Sequence, residues 1–361
     1  MRVKVNGLQP GYILKEDVMG LTPYPLVQKN TILTDVHLEV LNAFQIDSIL
    51  VEPLTIEGNM VKIEQENSEE QKQTQSPVID EFLNLYIQSI EAYGREFQRW
   101  KSGIGVDMAK MRQIILPLLR ALSLHTDKLY TLHHYSTKEN YLFHHAVATA
   151  VISGEIARTL KYDKGLVIQT ALAGLLSDCG MAKLNGAILD QNRALTEYEY
   201  KKVKNHTLYS YNMVKDESLL KPIAKLAIFQ HHERLDGSGY PLQEKGKRIH
   251  QISQIVGIAD TYHAMTSERL YRKKQAPFKV LEIIQQDFFG KFELQVVKAL
   301  LSTFANLRTG SIVKLSNKQK GSIIFTKNQS PTRPLVKIEE TNEIIDLEKN
   351  RGLYIEEVMM L

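Results

Sequence analysis

The sequence predicts a mainly α protein, a helical bundle set between a small N-terminal α+β module and a small C-terminal all-β module. Three observations carry this. Apolar residues recur at three- and four-residue intervals through most of residues 79–308, the period of helices with one buried face. Short alternating segments lie on either side of that stretch, as half-buried strands require. The run "IEQENSEEQKQTQSP" is polar and almost free of apolar residues, so residues 63–78 are expected to form a linker. At 361 residues the chain is also too long for one ordinary core.

In residues 1–62, "RVKV", "YILKEDV" and "SILVEP" predict strands by alternation and β-branching, and "TDVHLEVLNAF" a helix capped by Thr34 or Asp35. The central helices are predicted at "VIDEFLNLYIQSIEAYGREFQRW", "MAKMRQIILPLLRALSL", "HHAVATAVISGEIARTL", "GLVIQTALAGLLSDCG", "TEYEYKKVKNHTLYSYNMV", "PIAKLAIFQHHE", "QISQIVGIADTYHAM" and "FKVLEIIQQDF". Thr196 followed by Glu199 fits a capping box, and Pro222 suits a first helical turn. From 309 to 361 the segments "SIVKL", "GSIIFT", "LVKIEE", "EIIDL" and "LYIEEV" predict strands separated by Asn, Gly, Lys and Pro turns.

Composition excludes several functions. The net charge of +4 is mild and both signs are interspersed, which argues against a DNA-binding protein with a dedicated basic face. A single cysteine rules out an intrachain disulfide framework and fits a reducing cytoplasm. The N-terminal residues lack the apolar core of a signal peptide. No apolar run is expected to approach the roughly 20 residues of a membrane span, so no membrane insertion is predicted.

Five central helices place a metal-ligand type among apolar neighbours: His145, Asp178, His206, the pair His231–His232, and Asp260. Asp178 would share a helical face with Ala171, Gly174 and Leu175. Any one of these alone more often serves as a cap or a satisfied structural group. A bundle, however, can bring them together, where a cation neutralises buried carboxylates. Consecutive histidines sit about 100° apart on a helix, so His231 and His232 can reach one ion only near its end. There "ERLDGSGYP" supplies glycines for a sharp turn. Cys179 is expected to be packing rather than a reactive thiol. "GIGVDM" lacks the third glycine of a dinucleotide fingerprint, and Ser238 lacks the context of a nucleophile elbow.

"HHERLDGSGYP" (231–241) resembles the signature of the HD-GYP family of metal-dependent phosphodiesterases, members of the HD superfamily. "YLFHHAVATA", "LLSDCG", "ALTEYEYKKVKNH" and "IADTYHAMTSERLYRKK" resemble its other segments in order, from about Tyr141 to Arg272. The resemblance implies a helical domain with its core at about 126–290. It also implies one or two divalent ions, iron or manganese, with cyclic di-GMP or a related cyclic dinucleotide as substrate. Carried over, Asp178 would bridge the metals and be the central catalytic carboxylate. One ion would take His206, His231, His232 and Asp178; the other His145, Asp260 and Asp178. Arg269, Arg272 and Tyr240 would contact substrate.

Three positions depart from the family. Ser177 stands in place of the histidine of the His-Asp pair, Met181 in place of a lysine, and His263 in place of a second acid. The expectation is therefore a bacterial signalling protein of cyclic di-GMP turnover, a hydrolase by resemblance, with a degenerate active site and weak or lost activity. The alternative is a non-catalytic cyclic di-GMP receptor or a module that binds a regulatory protein partner.

Overall fold

The structure, a computed structural model, describes residues 2–19, 25–44, 46–52, 81–123, 126–135, 140–189, 193–268, 274–305, 307–327 and 329–360. The linker expected at 63–78 lies outside the described residues. The chain divides into two compact units, Met1–Glu91 and Ala92–Leu361.

The first unit holds β1 (Arg2–Lys4), β2 (Val18–Met19), β3 (Pro25–Val27), α1 (Asp35–Ala43) and β4 (Ser48–Leu50). β1 pairs antiparallel with β4 and β2 with β3, over a core that includes Leu8, Leu14, Leu33, Leu41 and Val51. Thr34 is the cap of α1, in a capping box whose return bond runs from the Thr34 amide to His37 Nδ1 (3.2 Å). The strand expected at "YILKEDV" is reduced to bridges at Ile13 and Leu14, followed by β2. Between them Asp17 turns its carboxylate to the Lys29 amide (2.7 Å).

α2 (Glu81–Lys101) follows, with Tyr86, Tyr93 and Trp100 buried at seven-residue intervals. The second unit continues with α3 (Met108–Leu122), a 3-10 segment (Thr126–His134), α4 (Tyr141–Thr159), α5 (Lys164–Leu176) and α6 (Gly186–Leu189). It goes on through α7 (Glu197–Lys204), α8 (His206–Val214), α9 (Pro222–Gln230), α10 (Gln251–Thr266), α11 (Pro277–Asp287) and α12 (Leu294–Phe304). The protein is mainly α.

α4 is buried from His144 to Ala157 and α10 from Ile252 to His263, so these helices form the interior. Such enclosure suits helices without a polar stripe. The stretch Lys164–Lys183 corrects the expectation of no apolar run of spanning length. Its 20 residues are long and apolar enough to cross a membrane, but 78% of it is buried inside the fold. It contains α5, a core helix.

Two predicted helices end sooner than their apolar period implied. The one expected through Gly180 stops at Leu176; Asp178 then leads a 3-10 turn, Cys179–Lys183. Asp178 is therefore at a helix end rather than on a continuous helical face. The one expected over 196–214 breaks at Asn205 into α7 and α8. Gly180 explains the first change. A Cβ there would lie within 3.0 Å of the His206 carbonyl oxygen and the Ser210 amide nitrogen, so only glycine lets the turn seat on α8. Gly180→Ala is expected to cost about 2–3 kcal/mol through this overlap, read as a lower denaturation midpoint with an unchanged m-value.

β5 (Ile312–Leu315), β6 (Lys320–Phe325), β7 (Leu335–Ile338), β8 (Ile344–Asp346) and β9 (Ile355–Met360) form one antiparallel sheet in the order β8-β7-β6-β5-β9. Each lies where alternation placed it. The sheet is tied to α11 by Arg333, which meets the buried Glu282 carboxylate at 2.7 Å. Arg333 also donates to the Leu347 and Leu353 carbonyls at 2.9 and 3.0 Å.

Candidate metal centre

Helix ends build this site. The break after α7 leaves the Val203 carbonyl without a continuing helix, and the end of α9 does the same for Ile228. His206 Nδ1 lies 2.7 Å from Val203 O, and His231 Nδ1 lies 2.8 Å from Ile228 O. A carbonyl only accepts, so each Nδ1 carries the proton. Nε2 of both rings then presents a lone pair. These two nitrogens are 3.3 Å apart and face Asp178 Oδ1, at 3.1 Å from His206 and 3.8 Å from His231. His232 follows in the chain, its ring 4.0 Å from that of His231. Gly257 of α10 lets this corner close, since a Cβ there would overlap the His231 carbonyl.

On the other side, α4 delivers His145 and α10 delivers Asp260. His145 Nε2 is 2.8 Å from Asp260 Oδ1 and 3.6 Å from Asp178 Oδ2. His232 Nδ1 is 3.8 Å from Asp260 Oδ2 and so touches both halves of the site. The structure thus brings together His145, Asp178, His206, His231, His232 and Asp260. In each of two groups, Asp178–His206–His231–His232 and His145–Asp178–Asp260, one donor atom per residue lies within 4.8 Å of the rest.

Electrostatics follow from enclosure. Burial would raise the Asp178 carboxyl, but the His206 hydrogen bond and the charges of His206, His145 and His231 outweigh it and hold the group below the usual carboxylate range. Asp260 is lowered in the same way, with burial opposed by His145. Burial would lower His206, yet the Asp178 carboxylate raises it. His231 is pushed down to about 4 by burial and by His206, and His232 is lowered by burial and by His231. Both are therefore unprotonated at neutral pH, the form that ligates metals.

These donors fit a divalent cation. Lone pairs of His206 and His231 converge on a buried carboxylate oxygen, an arrangement that only a shared proton or a cation can reconcile. Bonds of about 2.0–2.2 Å from N and O donors also suit the observed separations.

Ser177 has a different role. It is 3% exposed, its hydroxyl donates to the Gly174 carbonyl (2.9 Å), and its own carbonyl accepts from Ser210 Oγ (2.7 Å). Its hydroxyl thus closes the end of α5. The group of His145, Asp178 and Asp260 keeps three donors, while the other has four.

Sequence reasoning noted His263 only as a lost acid. In the fold its Nδ1 sits 2.9 Å from Nδ1 of His145, and its Nε2 sits 3.2 Å from Ser267 Oγ. Tyr141 stacks on the same His145 ring at 5.2 Å. Both are one helical turn from a ligand type, at i+3 from Asp260 and i−4 from His145, which is the signal that could have found them.

Tyr240 stacks on His232 at 4.5 Å and meets His206 edge-on at 6.3 Å. Arg269 and Arg272 lie outside the described residues. Cys179 is buried, with its thiol pushed up to about 12 chiefly by burial, which agrees with a packing role. His144 is also buried and pushed down to about 3, and His250 caps α10 by accepting from the Ile252 amide.

Comparison with known proteins matches residues 127–288 to the family described as HD domain. The chain is 27% identical over 244 residues to cyclic di-GMP phosphodiesterase PA4108 of Pseudomonas aeruginosa, covering 67% of this chain and 58% of that protein. It is 26% identical over 209 residues to cyclic di-GMP phosphodiesterase PdeB of Borreliella burgdorferi, covering 57% and 55%. It is 32% identical over 163 residues to 3'3'-cGAMP-specific phosphodiesterase 3 of Vibrio cholerae, covering 45% and 35%. The chain spans little more than half the length of the first two and about a third of the last. The 231–241 signature thus lies at the convergence of these side chains, inside the stretch 127–288 that matches the HD domain family, and the relatives named here are cyclic dinucleotide phosphodiesterases.

Proposed function

We propose that this chain binds a cyclic dinucleotide, in the first instance cyclic di-GMP, at a metal centre with one fully furnished cation position, and that it cleaves this ligand slowly. The observation that carries the reading is the hydroxyl of Ser177 turned back onto Gly174. It leaves His145, Asp178 and Asp260 without a fourth protein donor. The relatives named for action on cyclic di-GMP and on cGAMP support the ligand class.

Asp178, His206, His231 and His232 would hold the principal ion, iron or manganese by resemblance. Such an ion supplies Lewis acidity toward a phosphoryl oxygen. The protein's own contribution is preorganisation. Helix-end carbonyls fix the tautomers of His206 and His231, the Asp178 carboxylate faces both sides of the site, and Tyr240 stacks on His232. Arg269 and Arg272 would hold phosphates through their guanidinium forks. Met181 offers no charge where the family has a lysine.

The same losses support a receptor as the second reading, with binding retained and cleavage absent. To separate the two, the chain is loaded with manganese, its bound metal counted, and cyclic di-GMP binding and cleavage measured in parallel. One metal per chain with binding and slow cleavage is expected. Turnover equal to that of a relative with the complete set would sink the weakened-enzyme reading. Binding with no cleavage would establish the receptor; neither binding nor cleavage would leave a protein-interaction role.

A further inference from the structure

α7 is an unusual helix. None of its eight residues is buried, so apolar packing does not explain why it forms. Instead its N-terminus is built with care. Thr196 and Glu199 form a capping box, and Arg193 grips the Glu199 carboxylate with both guanidinium nitrogens at 2.8 and 2.9 Å. A short helix held this way, with its tyrosines exposed, presents a surface rather than supporting a core.

What it presents is aromatic and basic. Tyr200 is 48% exposed. Lys204 Nζ lies 4.8 Å from the Tyr200 ring centre and 5.2 Å from that of Tyr240, so the ammonium sits between two aromatic faces. Tyr240 in turn stacks on His232, and Lys204 is two residues before His206. A continuous path therefore leads from an exposed ring, through a cation, to the metal-ligating histidines.

Other cations near the centre are committed. Arg234 donates to the His231 and Glu233 carbonyls and to Thr261, and Lys183 to the Trp100 carbonyl. Of the acids on α7, Glu199 is held by Arg193, and Glu197 pairs with Lys201 at 3.1 Å. Among the described residues Lys204 has no carboxylate partner.

We propose that α7 is the nucleobase and phosphate rim of the site: a base of a cyclic dinucleotide stacks on Tyr200, and Lys204 meets the phosphate entering the metal centre. A nucleotide separates base from phosphate by one sugar, and α7 offers an aromatic face and an ammonium in that order toward the metal. Lys204 thereby supplies positive charge for binding at the rim, and it does not stand in for the lysine missing at Met181. The inference rests on the cyclic dinucleotide reading of the centre.

The test uses the full chain loaded with manganese and titrated with cyclic di-GMP. Tyr200→Ala and Lys204→Gln are each expected to weaken binding roughly tenfold, the scale of one lost stacked base or phosphate contact. Tyr200→Phe should retain affinity, and Lys202→Gln, further from the centre, should leave it unchanged. Metal content and thermal midpoint should stay constant throughout, which separates contact with ligand from support of the fold. Affinities of the first two variants within twofold of the unsubstituted chain would overturn the rim. Failure of the unsubstituted chain to bind cyclic di-GMP would instead overturn the reading of the centre, and the rim with it.

Discussion

Asp178→Ala is expected to remove tight metal binding from both cation positions at once. Asp178 is the residue common to the two donor groups, with Oδ1 toward His206 and His231 and Oδ2 toward His145. Loss of an outer-shell partner alone costs ~10–100-fold in affinity, so loss of a shared ligand should exceed roughly 100-fold. Metal counting after dialysis and calorimetric titration with manganese measure this directly. The fold should survive at reduced stability: the cost of enclosing the carboxylate is removed, but His206 and His145 lose the group that pairs with them. Far-ultraviolet circular dichroism checks that point. Asp178→Asn preserves shape and isolates the charge, and it should fail to bind metal as completely as the alanine variant. A variant that still binds within tenfold of the native chain would refute the bridging assignment.

Ser177→His is expected to raise bound metal from one ion per chain to two, while turnover remains low. The new imidazole would supply the donor that the group of His145, Asp178 and Asp260 lacks. It must also displace the Ser177 hydroxyl from Gly174 in a position only 3% exposed. Overpacking of this kind costs about 1–3 kcal/mol. The metal-free variant should therefore melt lower than the native chain and recover when manganese is added. Turnover should stay low because Met181 still provides no cation at the substrate phosphate. Full recovery of cleavage from this one change would show that Met181 hardly matters. A second ion without thermal recovery would mean that it binds elsewhere.

Much of this was legible in the sequence, and the reasons are local. Alternation in "SIVKL" and "GSIIFT" marks strands because each shows one face to the core and the other to water. Thr196–Glu199 and Pro222 mark helix starts because they meet the needs of unpaired amides. The six candidate ligands stood out as polar groups among apolar neighbours, and the fold gathers them. The helix ends at Leu176 and Asn205 were not legible. Apolar periodicity continues across both; the first break goes with a tertiary contact, Gly180 against α8, and the second with a local bond from the His206 ring to the Val203 carbonyl that periodicity does not register. The contact of His263 with His145 spans 118 positions and depends on how α4 packs against α10. The orientation of Ser177 was equally hidden, since a hydroxyl can turn toward a ligand cage or toward its own helix.

The ion pair between Arg333 and Glu282 has a consequence for how the second unit melts. The guanidinium fastens two loops of the sheet, through Leu347 and Leu353, to a carboxylate enclosed on α11. If the sheet peeled away, that carboxylate would lose its arginine while the helices around it stayed folded. Its remaining cation, Lys279 on the same helix, is 3.6 Å away and solvent-exposed, so losing the arginine would still cost part of the about 3–5 kcal/mol typical of a broken buried pair. Partial unfolding at this seam is therefore disfavoured, and sheet and helices should unfold in a single transition. The alternating tail marked out by the sequence is in that sense the closing course of the helical unit, a fixed part of the wall behind α11.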